Sequence, residues 1–211
     1  MSLSETEIRK LLDRIALCRL CRDAPARGEA HRLPHEPRPV AVLSSKAKIL
    51  IAGQAPGLRV HETGLTFNDA SGNRLRDWLG VTREEFYDTD KFSIVPMGFC
   101  FPGYDANGGD LPPRKECAPH WRATVMAAMP QIELILAVGH HAQSWHLGAH
   151  IRENMTETVR HWRDYLDPTE SVPVLPLPHP SWRNTGWIKK NPWFEKELLP
   201  VLKELVHRKI D

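Results

Sequence analysis

The chain reads as one α/β domain: a central, mostly parallel sheet of four to five strands, flanked by helices to give three layers. Two observations predict this. Short continuous apolar runs alternate with stretches whose apolar residues recur every three or four positions, the pattern of strands buried on both faces and joined by crossover helices. In addition, 211 residues with 41% hydrophobic and 26% charged side chains suffice for one sizeable core and match an ordinary globular protein. No repeat, low-complexity tract or second core interrupts residues 1–211, which are expected to form a single domain.

The elements follow in order. Ile8, Leu11, Leu12 and Ile15 share one helical face, preceded by a Ser4-x-x-Glu7 capping pattern. This helix ends near Cys18–Cys21, and a Pro-rich connection runs to Pro39. Residues 40–43 and 49–52 read as buried strands, and the second breaks into GQAPG at residues 53–57. Leu75, Trp78 and Leu79 mark a helix opening near Ser71, and Thr82-x-x-Glu85 caps another. Residues 92–101 read as strand, 102–113 as a Gly/Pro loop, 114–129 as helix and 132–138 as strand. A helix follows Gly139, another spans about 156–165, and 172–177 is the last strand. Asn191-Pro192 reads as an N-cap with Pro at the first helical position. The final helix carries Phe194, Leu198, Val201, Leu202 and Leu205 on one face, and Pro200 should bend it.

Charge and hydropathy exclude some classes. With 28 basic and 26 acidic residues the net charge is +2, so any basic surface must be local. No apolar run reaches the ~18 residues of a membrane span, and MSLSETEIRK holds no apolar signal core. A cytoplasmic protein is expected. In that setting Cys18, Cys21, Cys100 and Cys117 read as thiols or metal ligands rather than disulfides.

Parallel strands end at one edge of their sheet, where open α/β sheets bind ligands. Two strand ends carry reactive side chains there: GQAPG with its continuation LRVHETGLTFNDASG, and LPHPSWRN at 177–184. They are expected to gather Gln54, His61, Glu62, Phe67, Asp69 and His179 near one crevice, with His61 and Glu62 the weaker candidates. Neither GxxxxGK[ST] nor GxGxxG occurs, which leaves nucleotide-triphosphate and dinucleotide readings without support. No G-x-S-x-G elbow favours a hydrolase with Ser181 or a cysteine as nucleophile.

GQAPG, TGLTFNDASG, the His179-Pro180-Ser181 motif and the cysteine quartet with LPPRKEC, in this order, resemble the uracil-DNA glycosylase superfamily, above all its iron–sulfur branches, families four and five. The resemblance spans nearly the whole chain. It implies that His179 stabilises the base anion that leaves, and that Phe67 stacks on the extruded base beside Gly53, Ala55 and Pro56. Family four places a Glu where this chain has Gln54, which can hold a water but cannot act as a base at neutral pH. Asp69 supplies a carboxylate like that of family five; its other reading is as cap of the following helix. Ser181, Arg183, Asn184 and Lys189 are implied DNA contacts, and Trp193 is read as core.

The same resemblance implies a structural [4Fe–4S] cluster on Cys18, Cys21, Cys100 and Cys117; four thiolates also suit zinc. One departure bears on substrate. Where family four has a base-reading Asn four residues before the third cysteine, this chain has Pro96, which offers no side-chain donor. The expected function is a monomeric, monofunctional glycosylase of base excision repair acting on DNA that carries a deaminated base, uracil first. The alternative, favoured by Gln54 and Pro96, is a non-catalytic binder of damaged DNA on the same scaffold.

Overall fold

In the computed structural model, which describes residues 3–167 and 172–211, four strands form one sheet. They are β1 (Ile49–Ala52), β2 (Phe92–Ile94), β3 (Leu134–Val138) and β4 (Val174–Leu177), in the order β2-β1-β3-β4 with every neighbouring pair parallel. Ile49 stands opposite Phe92 on one side and Leu134 on the other, and Ile135 opposite Val174. Around the sheet lie α1 (Glu5–Ala16), α2 (Leu20–Asp23), α3 (Leu58–Thr63), α4 (Ala70–Leu79), α5 (Arg83–Tyr87), α6 (Cys117–Ala128), α7 (His140–Leu147), α8 (Met155–Arg160), α9 (Thr185–Lys190) and α10 (Leu199–Ile210). Among the described residues no helix is long and apolar enough to cross a membrane.

Every strand residue is buried, as a sheet covered on both faces requires. The two-residue period of the strands divides the core. Ile49, Ile51, Leu134, Leu136 and Leu175 pack with Leu75, Trp78 and Leu79 of α4 and with Phe194, Leu198 and Leu202 at the C-terminus. Leu50, Ala52, Ile135 and Ala137 face Ile8, Leu11 and Ile15 of α1 and Trp121 and Val125 of α6. Both expected capping boxes form, at Ser4–Glu7 and Thr82–Glu85.

Three expected elements differ. Residues 40–43 form no strand; Val42 makes a single antiparallel bridge with Ile94 of β2, and the Ser44 hydroxyl then accepts from the Lys46 and Ala47 N–H groups and turns the chain away. The apolar run 92–101 is strand only to Ile94. Val95 N still donates to Ile51 O, but Pro96 has no N–H to continue the ladder. Met97 and Gly98 instead donate to the carbonyls of Gly53 and Gln54, each at 2.9 Å, laying this run beside the GQAPG turn. Asn191 is not a side-chain cap: its amide donates to Trp187 O and accepts from Trp193 Nε1. The distortion expected at Pro200 is a π-turn over Phe194–Leu198, in which Leu199 N reaches back to Phe194 O. A proline lacks the N–H that would bond the carbonyl four residues earlier, so the preceding turn widens.

Candidate active site

The C-terminal ends of β1, β2 and β4 open onto a cavity of about 380 Å³. Residues 53–57 form one wall, Phe67 and Asp69 a second, Pro96 the floor beyond β2, and His179, Ser181 and Arg183 the side after β4. Gln54, Phe67, Asp69 and His179, far apart in the sequence, therefore share one space. His61 and Glu62 do not line it. The His61 ring lies tilted against His35 at 4.4 Å and has its pKa lowered by burial, while the Glu62 carbonyl accepts from Arg38.

His179 is placed by several bonds. Its Nδ1 accepts the Ser181 N–H at 3.2 Å, its carbonyl accepts from the Asn184 amide at 2.7 Å, and Arg74 of α4 donates to Ser181 O and Thr185 Oγ1. Burial lowers the pKa of the ring, against a smaller opposing pull from the Asp69 carboxylate. The imidazole is thus neutral at neutral pH. With Nδ1 occupied as an acceptor, its proton sits on Nε2 as a donor.

Phe67 has φ of 50°, the left-handed region that a bulky residue rarely adopts. The surroundings hold it there. Tyr87 Oη donates to the carbonyls of Thr66 and Phe67, and the Phe86 ring meets the Phe67 ring edge-on at 6.0 Å. Gly72 completes the arrangement, because any Cβ at that position would overlap the Phe67 carbonyl. On the cavity side the Phe67 ring lies against Gly53, whose Cβ would sit 3.4 Å away.

Asp69 caps α4, its Oδ1 accepting the Gly72 N–H at 2.9 Å, so this helix starts at Ala70, ahead of the expected opening near Ser71. The same carboxylate lines the cavity, and the two readings of Asp69 are compatible. Gln54 rests on Gly139 (φ 84°), where a Cβ would fall 2.5 Å from its Nε2. Pro96 is fixed from behind by buried Arg122, which donates to the carbonyls of Val95 and Pro96 and meets Nε2 of His146. Burial pushes the His146 ring down to about 3, leaving it a neutral acceptor for the guanidinium.

Of the implied DNA contacts, Ser181 and Arg183 line the cavity; Asn184 instead holds the His179 carbonyl, and Lys189 lies exposed on α9 outside it. Trp182, 75% exposed, stands at the rim. Asp110, from the loop between β2 and α6, was not among the sequence candidates. It lies in a Gly/Pro-rich stretch with no motif to single it out, and only the folded loop brings it to the cavity.

The four cysteines meet in a second, much smaller space of about 20 Å³, lined otherwise by apolar residues and Arg114. Phe99 N–H donates to Cys117 Sγ and Trp121 Nε1 to Cys18 Sγ, each at 3.3 Å. Burial pushes the thiols of Cys21, Cys100 and Cys117 up to about 12, with neighbouring thiols adding to the rise. Among the described residues, no three His, Cys, Asp or Glu side chains are close enough to hold a single metal ion. A zinc ion needs its thiolates around one point, ~2.3 Å away. A four-iron cluster instead takes one thiolate at each iron, so its four cysteines stand further apart than the ligands of a single ion.

A doubly covered parallel sheet, with a cavity of about 380 Å³ at its strand ends, defines the class: an α/β protein whose crevice lies at the carboxyl edge, where open sheets bind ligands. Comparison with known families matches residues 40–203 to the uracil DNA glycosylase superfamily. The chain belongs to that superfamily, and glycosylase-type chemistry on DNA is the activity this membership supports.

Proposed function

We propose that the protein, acting as a monomer, extrudes a deaminated base, uracil first, from DNA into the cavity and hydrolyses its N-glycosidic bond. The observation that carries this reading is that Phe67, Asp69 and His179 border one cavity with room for an extruded base. Phe67 offers the extruded base a face in place of its lost stacking neighbours. As the bond to the sugar breaks, its electron pair moves onto the base, and the Nε2–H of His179 donates to the oxygen where negative charge gathers. A fixed donor in a desolvated site is worth about 10²–10³ in rate. The sugar gains positive charge, which the Asp69 carboxylate offsets, and Gln54 holds a water without acting as a base. Arg183 and Ser181 at the rim, with Lys189 further out, suit phosphate contact. With Pro96 in place of an amide, discrimination of the base edge falls to backbone groups and the remaining cavity side chains.

The proposal extends to a [4Fe–4S] cluster held by Cys18, Cys21, Cys100 and Cys117. When bound it supplies a structural cross-link between the N-terminal helices and the start of α6, with no redox step in base release. A second reading, a non-catalytic binder of damaged DNA, is favoured by the combination of Gln54 and Pro96.

The test is base release from oligonucleotides carrying uracil, hypoxanthine, xanthine or a thymine mismatch, scored as abasic product. Uracil release is expected, with a loss of at least about 10³-fold in the Asp69→Ala His179→Ala double variant. Binding of these oligonucleotides without any release by the wild type would establish the binder instead.

A further inference from the structure

We propose that Asp110 is a catalytic residue of this site, the general base that takes a proton from the attacking water, while Asp69 serves as the fixed counter-charge to the sugar. This rests on the glycosylase reading above and completes it. Gln54 supplies no base, and Asp69 is committed in part to capping α4 through the Gly72 N–H.

Asp110 reaches the cavity from a loop with its own internal order. Tyr104 and Asp110 form an antiparallel bridge, Asp105 N donates to Gly109 O at 2.7 Å, and Leu111 N donates to Gly103 O at 2.9 Å. The Asp105 carboxylate accepts from the N–H groups of Asn107 and Gly109, fixing the tip. This hairpin carries the Asp110 carboxylate over the GQAPG turn, where its Oδ2 lies 3.6 Å from the position of a Cβ on Gly57. Among the described residues its carboxyl accepts no hydrogen bond, so both oxygens are free for a water. The two carboxylates of the cavity therefore differ in kind: one is pinned to a helix terminus, the other is unpinned.

The charged groups facing Asp110 are Arg183, from the loop after β4, and Asp69, at the start of α4. Asp110 is exposed at the cavity mouth; partial desolvation raises its pKa, Arg183 opposes the rise and Asp69 adds to it. A base is more effective as its pKa approaches the working pH, and paired carboxylates in unlike environments divide acid–base work in this way. The step balances. Water oxygen bonds to the anomeric carbon, the C–N bond pair leaves with the base and is stabilised by His179, and the water proton passes to Asp110 and then to solvent.

The experiment is single-turnover release of uracil from a single-stranded oligonucleotide between pH 4 and 9, comparing wild type, Asp110→Asn, Asp110→Glu and Asp69→Asn. Asp110→Asn should lose about 10²–10³ in rate with oligonucleotide affinity and melting temperature unchanged. Wild-type rate should fall as pH drops along an acid limb shifted upward from the ordinary aspartate value, and this limb should vanish in Asp110→Asn. Asp110→Glu, which keeps the carboxylate, should recover part of the rate and keep the limb. An active wild type with Asp110→Asn near wild-type rate, or with its acid limb intact, overturns the assignment alone. A wild type that releases no base overturns the functional reading and this assignment with it.

Discussion

The strand-end cavity and the thiol pocket both draw on one segment, residues 96–100, yet they have opposite characters. Pro96 faces the first, while Gly98, Phe99 and Cys100 line the second. The cavity is roomy, opens to solvent and gathers Asp69, Asp110, Arg183 and His179. The pocket is narrow and apolar apart from four sulfurs and Arg114, and burial raises the pKa of the Cys21, Cys100 and Cys117 thiols. Mixed charge in a partly enclosed space can stabilise a changing charge distribution, whereas a cluster of soft sulfur donors suits a bound metal group. On the reading proposed above, one fold would separate chemistry from cross-linking across five residues.

The sharpest way to break this contrast is Cys21→Ser. If the pocket only cross-links, iron content and visible absorbance should collapse and stability should fall by about 4 kcal/mol, since binding energy at a structural metal site is folding energy. Base release per folded molecule should change little; a variant that keeps full stability, or loses release while folded, would merge the two regions. Gly72→Ala strikes the cavity side. Its methyl must displace the Phe67 carbonyl, so about 1–3 kcal/mol of stability should be lost, along with the stacking geometry, while cluster content stays at the wild-type level. Thermal melting with iron analysis checks both halves.

A smaller effect tests the support behind Pro96. The folded pKa of His146 is depressed to about 3, so the unfolded chain binds its proton first as pH falls. The stability of the neutral buried ring is fully present above the unfolded pKa, ~6.5, and is lost as pH drops toward the folded value. Wild type should lose about 2 kcal/mol from this group between pH 6.5 and 5, a slope that His146→Gln should flatten. An unchanged slope in that variant would place the pH sensitivity elsewhere.

Much of the scaffold could be read from local pattern. The runs at β1, β3 and β4, both capping boxes and the amphipathic faces of α1 and α10 depend on neighbours within a few residues, and they formed with small shifts at their ends. The misread segments failed for a common reason. Residues 40–43 and 95–101 are as apolar as strands, but Pro96 interrupts the ladder and the edge beside β2 accepts only one bridge. Apolar character records burial, not hydrogen-bond partners.

The site divides in the same way. Gln54, Phe67, Asp69, His179 and the four cysteines carried their signal in short motifs, because turn chemistry and ligand type are encoded locally. Asp110, the Tyr87 hydroxyl under Phe67, the Arg74 anchor on the His179 loop and the overlap that demands Gly72 had no such signal. Each is a contact between segments brought together only by sheet order and loop closure. The sequence by itself determined which residues could react and that they would gather at strand ends. The tertiary structure alone decided which of them face one another, because distance and desolvation between remote segments depend on the whole packed sheet and on no local run of residues.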